Sequence, residues 1–177
     1  ARLSPTPIVQ TLHHAPTPAE TGLWSRYPEA PFVAISEEQA RLLGDARVVG
    51  VVQHGIDTEA FTFRSEPDDY VLFLGRFTES KGVLQAIEVA KRTGMRLIIA
   101  AGEEAYYHEH VAPHVDGERV VYFGEADHAA KINLYGGARA LLYPIQKPEP
   151  FGLVLIEAMA CGTPVAALDK GAVREVV

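Results

Sequence analysis

From residue 70 onward the chain alternates short, unbroken apolar runs with longer mixed stretches. Tyr70-Val71-Leu72-Phe73-Leu74 is the first run, and Arg96 to Ala101, Arg119 to Phe123, Ala140 to Tyr143 and Val165 to Leu168 follow. A strand that is apolar at nearly every position has no face to offer water. It belongs in a parallel sheet covered on both sides by helices. The intervening stretches supply those helices, from Lys81 to Arg92, Glu104 to Val111, Ala129 to Tyr135 and after Gly152. The expected fold is therefore α/β, a Rossmann-like parallel sheet with helices on both faces, occupying residues 65–177.

Before it, Glu66-Pro67-Asp68-Asp69 marks a polar boundary, and residues 1–64 read as the tail of a second α/β domain with its linker. There, strands are expected at Pro7 to Leu12, in the run ending at Ala34-Ile35-Ser36, and at Val48 to Val52. Ser36-Glu37-Glu38-Gln39 is a capping-box pattern, opening a helix that Gly44 stops. The chain has no initiator Met, and a new periodic segment begins just before Val177, so a longer parent protein is expected.

In open parallel sheets ligands bind outside the carboxyl ends of the strands. The segments to inspect are those after Leu74, Ala101, Phe123, Tyr143 and Leu168. After Leu74 comes Gly75-Arg76-Phe77-Thr78-Glu79-Ser80-Lys81-Gly82. Glycine lets a backbone approach phosphate closely, a helix start attracts anions, and Arg and Lys neutralise them. The segment suits a diphosphate or, failing that, is a solvated loop with two surface cations. It is not a P-loop, because Ser80 and Gly82 stand where that motif needs Gly and a magnesium-binding Ser or Thr.

After Tyr143 comes Pro148-Glu149-Pro150-Phe151-Gly152, then the apolar stretch Leu153 to Ala160 that carries Glu157, then Cys161-Gly162-Thr163-Pro164. The two prolines restrict the backbone at Glu149. Free helical N–H groups at Phe151-Gly152-Leu153-Val154 can face an anion. Glu157 lies roughly 9 Å along the helix axis, a spacing wide for the carboxyl pair of a retaining glycosidase, which sits about 5 Å apart. A carboxylate in an apolar helix either accepts hydrogen bonds from vicinal sugar hydroxyls or is neutralised internally by Lys or Arg.

A formal charge of −7 speaks against nucleic acid as a partner. The chain has no apolar run long enough to span a bilayer, so membrane association is expected to be peripheral at most. One cysteine, Cys161, leaves no intramolecular disulfide and suits a reducing, cytoplasmic setting. His108, His110 and His114 look like a metal cluster, but on an α-helix only the last two share a face. A polar surface helix is expected there instead. A receiver-type module needs acidic residues clustered at strand ends, where this chain places Arg76 and Lys81.

Taken together, Gly75-Arg76-Phe77 with Lys81-Gly82, and Glu149 through Glu157 running into Gly162-Thr163-Pro164, resemble the retaining GT-B glycosyltransferases of the family-four type. Weaker similarities lie in Thr11-Leu12-His13, Ala34-Ile35-Ser36 and Gly55-Ile56-Asp57. The resemblance implies a nucleotide-diphosphate sugar as donor, a sugar, lipid-linked or small-molecule acceptor, retention of anomeric configuration, and no metal or other cofactor. It implies catalytic roles for His13, Arg76, Lys81 and Glu149. Arg76 and Lys81 would take the diphosphate with Gly75 beside them, and Glu149 the donor sugar. The backbone of Phe151, Gly152, Leu153 and Val154 would contact sugar and phosphate, Glu157 the ribose hydroxyls, and Phe123-Gly124 the base. The sequence departs from the pattern at His54, where Asn is usual, and at Pro144-Ile145-Gln146-Lys147-Pro148, where Pro-Ser is usual. A non-catalytic nucleotide-sugar-binding module is the alternative.

Overall fold

Continuous apolar runs become the strands of two parallel sheets, one in each of two compact units. A computed structural model describes residues 5–177. The first unit holds the residues up to Gly55 together with 148–152 and 170–176; the second holds 56–147, 153–169 and Val177. Residues 56–64 thus group with the second unit rather than with the tail before it. The Arg64 N–H donates to the Cys161 carbonyl at 3.0 Å, and a Cβ on Gly162 would strike the ring of Phe63.

In the first unit, β1 (Gln10–Thr11), α1 (Pro18–Trp24), β2 (Phe32–Ala34), α2 (Glu37–Leu42) and β3 (Val48–Val51) follow one another. The sheet order is β1-β2-β3, with both pairings parallel. Strand β1 is shorter than Pro7 to Leu12 because Pro7 has no N–H to give the ladder; Ile8 and Val9 are left exposed. Leu12, Phe32, Ala34 and Leu43 form the core, and Trp24 lies against Phe32 with ring centroids 5.1 Å apart. The cap of α2 is half of the expected box. The Ser36 hydroxyl accepts the Gln39 N–H at 2.9 Å. The fully buried Gln39 side chain does not return to Ser36: it accepts the Ile35 N–H at 2.8 Å and donates to the carbonyls of Leu12 (3.1 Å) and His14 (2.9 Å).

The second unit runs β4 (Val71–Leu74), α3 (Val83–Thr93), β5 (Leu97–Ala100), β6 (Val120–Gly124), α4 (His128–Gly137), β7 (Ala140–Tyr143), α5 (Leu153–Ala160) and β8 (Val165–Ala167). All its strands are parallel, in the order β6-β5-β4-β7-β8. The chain moves outward from β4 through β5 to β6, then returns to place β7 on the other side of β4. That reversal makes β4/β7 the topological switch point, where such sheets bind ligands. Helix α3 starts two residues later than expected, since Glu79–Lys81 form a tight 3₁₀ turn and Gly82 breaks it at φ +77°. The stretch expected as an α-helix from Glu104 is instead a π-helical turn, Tyr107–Val111, followed by a 3₁₀ turn, Ala112–His114. Pro113 cannot donate to an α ladder, so the regular helix does not continue. The core gathers Phe73, Phe77, Tyr107 and Tyr122, with Phe77 meeting the other three rings at 5.4–6.4 Å.

The chain leaves this sheet twice to complete the first unit: at 148–152, and at 170–176 with the short helix α6 (Val173–Val176). There the Glu37 and Glu38 N–H groups, at the open end of α2, donate to the two carboxylate oxygens of Glu175 at 2.8 and 2.7 Å. An acidic side chain thereby satisfies donors that a helix start leaves unpaired.

Candidate functional site

The Gly75–Gly82 segment stands at the switch point, and its shape follows from where its apolar residues go. Leu74 and Phe77 are buried while Arg76 between them is exposed. Phe77 pins the loop to the core, so Arg76 is turned away from it. Among the described residues Arg76 makes no side-chain hydrogen bond or ion pair. Lys81 donates to the hydroxyl of Tyr143, the last residue of β7, at 3.2 Å. The two sides of the switch point are in tight contact here. A Cβ on Gly82 would collide with the Pro144 carbonyl, and the Gln146 N–H donates to the Ser80 carbonyl at 2.8 Å. The stretch 144–147 thus serves as the wall behind Lys81.

Glu157, the charge in an apolar helix, is half-buried and anchored without a cation. The Tyr135 hydroxyl, from α4, donates to its Oε2 at 2.7 Å. Burial, then the Glu157 carboxylate beside it, push the Tyr135 phenol far above the ordinary tyrosine range. Among the described residues no Lys or Arg pairs with Glu157, so the internal salt bridge open from sequence is absent. A neutral hydroxyl orients the carboxylate and leaves its charge in place. The Thr163 hydroxyl donates to the Tyr135 carbonyl, holding that tyrosine from behind.

A cavity of about 190 Å³ opens at the carboxyl ends of β4, β5 and β6, lined by Gly75, Arg76, Gly102, Glu125, Ala126 and Lys131 among others. The strand-end rule points to most of these segments. Lys131 was not expected: it reaches the cavity from the first turns of α4, whose start Asp127 caps by accepting the Ala130 N–H at 2.8 Å. A larger cavity, about 520 Å³, lies against α4 and takes in Phe123, which is half-exposed. Its charged residues Arg64 and Asp68 bind each other through two hydrogen bonds of 3.0 and 2.7 Å. Those charges are already matched, and size alone does not make it the site. Phe123 lines this cavity and is absent from the one beside Arg76, while Gly124 ends β6 at φ +98°. Leu153 and Val154 form the first turn of α5, Leu153 largely exposed and Val154 half-buried.

In the first unit, His13, His54 and Phe151 form a row of rings. His13 Nδ1 lies 3.4 Å from His54 Nε2, with the ring planes within 12° of each other. His54 meets buried Phe151 edge-on, centroids 5.1 Å apart. Burial, and then the neighbouring His13, push the His54 imidazole below its ordinary range. His14 is engaged elsewhere, 2.8 Å from Glu20. Glu149 is buried, and its backbone is clamped by the 170–172 segment: the Ala172 N–H donates to the Glu149 carbonyl at 2.8 Å, and Glu149 bridges Gly171 in parallel. A Cβ on Gly171, at φ +67°, would strike the Glu149 main chain. Gly152 is also buried, at φ +93°.

Other candidates separate. His114 pairs with Lys91 at 3.1 Å, His110 meets the Tyr106 ring at a tilt with centroids 4.5 Å apart, and His108 lies 3.6 Å from Glu103. Among the described residues no cluster of His, Cys, Asp or Glu could hold a metal ion. Cys161 is buried, and burial raises its thiol above the ordinary range, the opposite of an activated nucleophile. No helix of the described residues is long and apolar enough to cross a membrane.

The sequence profile of the glycosyl transferases group 1 matches residues 57–177. The chain belongs to that family. Among group 1 relatives it is 31% identical over 193 residues to the phosphatidyl-myo-inositol mannosyltransferase of Mycolicibacterium smegmatis, covering 97% of this chain and 50% of that protein. It is 30% identical over 159 residues to a glycogen synthase of Mycobacterium tuberculosis, covering 81% of this chain and 37% of that one. The chain spans about half the length, or less, of these curated relatives. In structure it resembles Alr3699/HepE of Anabaena, with a TM-score of 0.79 and 21% identity over 97% of this chain and 55% of that one. This likeness supports the α/β fold of GT-B glycosyltransferases expected for a group 1 member.

Proposed function

We propose that the protein to which this chain belongs transfers a sugar, with retention of anomeric configuration, from a nucleotide-diphosphate donor to a hydroxyl of a sugar, lipid-linked or small-molecule acceptor. The observation that carries this reading is Arg76 at the β4/β7 switch point, turned away from the core and without an internal partner, beside Lys81. Loss of a diphosphate leaving group needs positive charge already in place, more than it needs a protein nucleophile. Arg76 and Lys81 supply that charge, with Gly75 allowing close backbone approach. Glu157, its charge uncancelled, accepts hydrogen bonds from the ribose. The cavity at the ends of β4, β5 and β6 is the seat of the nucleoside. Glu149 and His13 act on the transferred sugar in this reading. No metal takes part, and the setting is cytoplasmic. The structural relative from Anabaena was solved with UDP and glucose and with UDP-glucose, which supports a nucleotide sugar as the donor class.

A thermal-shift screen of UDP-, GDP- and ADP-sugars, with and without magnesium, tests this directly. Ligand at a hundred times its Kd stabilises the folded state by about 2.7 kcal/mol, well within reach of the method. One donor class is expected to raise the melting temperature irrespective of magnesium, and Arg76→Ala to weaken that donor by roughly tenfold or more while leaving the unliganded melting temperature unchanged. No shift with any donor, or a strict metal requirement, defeats the reading. Retention is checked by the anomeric configuration of the transfer product.

A further inference from the structure

The ring row in the first unit contains a residue to which sequence reasoning assigned no role. His13 follows the edge strand β1 and is exposed, yet its main chain is held on both sides. The Gln39 amide donates to the carbonyl before it, of Leu12, and to the one after it, of His14, at 3.1 and 2.9 Å. Those bonds fix where the side chain starts and leave its ring free to turn. They also leave it free to carry its proton on either nitrogen. Among the described residues, His54 Nε2, 3.4 Å from His13 Nδ1 with the rings nearly parallel, is the hydrogen-bonding partner of the His13 ring. His54 is itself seated, half-buried and edge-on against Phe151.

We infer that His54 is a positioning residue for His13, holding the His13 imidazole in one orientation and one tautomer so that Nε2 is the atom offered to a sugar hydroxyl. A neutral imidazole has one donor nitrogen and one acceptor nitrogen. If His54 Nε2 carries the proton, His13 Nδ1 accepts and its Nε2 carries the other; the reverse assignment reverses both. In either case the tautomer of His13 is tied to that of His54, so whichever tautomer the seat of His54 favours is imposed on His13. Burial, which pushes His54 below its ordinary range, keeps this partner neutral. His14 does not compete for the role, being paired with Glu20 at 2.8 Å. The inference rests on the glycosyl-transfer reading only for what Nε2 is offered to.

The test is made on the 177-residue chain with ¹⁵N-labelled histidine rings. Long-range ¹H–¹⁵N spectra report tautomer populations, and His13→Gln assigns the His13 signals by their loss. One His13 tautomer is expected to dominate in the wild-type chain. His54→Phe, which keeps a ring but has no nitrogen, is expected to return His13 to the mixture seen in an unstructured histidine peptide. His54→Asn, whose amide offers both a donor and an acceptor, is expected to keep the bias. A wild-type His13 that already shows the peptide mixture overturns the inference, whether or not the Phe variant folds. So does a bias that survives His54→Phe. A failed donor screen with the bias intact removes the transferase reading and leaves the pair standing.

Discussion

Glu157 shows how a single buried contact separates two functional readings. A cation beside it would have cancelled its charge, whereas a tyrosine hydroxyl orients it and leaves the charge available. Tyr135→Phe is expected to cost about 1.5–3 kcal/mol, the worth of a hydrogen bond to a charged group. In a double-mutant cycle with Glu157→Ala, which removes the acceptor, measured by urea unfolding, the two changes are expected to be coupled. Additive effects would show that the bond carries no energy. His54 gives a pH dependence of definite sign. Its folded value lies below the 6.5 of an unperturbed histidine, so the unfolded chain binds the proton first. Stability is therefore complete above the unfolded value of about 6.5 and is lost as the pH falls from there through the lower folded value. His13→Gln removes the second cause and should make the loss shallower in unfolding curves taken from about pH 7.5 to 5.

At the scale of elements, the sheet of the second unit was legible because its strands are apolar throughout, and few other structures tolerate that pattern. The place of Arg76 and Lys81 just after a strand's carboxyl end followed from the same reading, while the strand order that makes it a switch point did not. What was not legible came from contacts between residues distant in sequence. Tyr135 and Glu157 are 22 residues apart, and His13 and His54 are 41 apart. No periodicity encodes either pair. The π-helical turn at Tyr107–Val111 and the late start of α3 were missed for a different reason: spacing rules assume regular helices, and Pro113 and Gly82 each break that assumption locally. Gly82 also packs directly against the segment that follows β7. Gly82→Ala both strains a backbone at φ +77° and drives a methyl into the Pro144 carbonyl. It is expected to lower the melting temperature and to displace Lys81, weakening donor binding beyond any stability effect. A fully folded Gly82→Ala chain with unchanged donor affinity would contradict the close packing described for this turn.

For the whole molecule, the chain crosses repeatedly between its two compact units, so neither is a simple stretch of sequence. Residues 1–64, read as one tail, do not contain all of the first unit, because Glu149 and Glu175 arrive from much later in the chain. The two units also differ in their stock of buried groups. The first has a core of Leu12, Phe32, Ala34 and Leu43, while the second buries Phe73, Phe77, Val83, Ile87, Leu97 and Ile99 among others. Local stability follows buried apolar contact, so the first unit is expected to open at lower urea than the second.

The placement of the aromatic residues makes that difference visible without labels. The chain has one tryptophan, Trp24, which packs on Phe32 in the first unit, whereas Tyr107 and Tyr122 lie in the ring cluster of the second. Tryptophan fluorescence therefore watches one unit and near-ultraviolet tyrosine dichroism chiefly the other. A single denaturant series read in both channels resolves two melting events from one sample, and a donor that binds the second unit should move the tyrosine trace first.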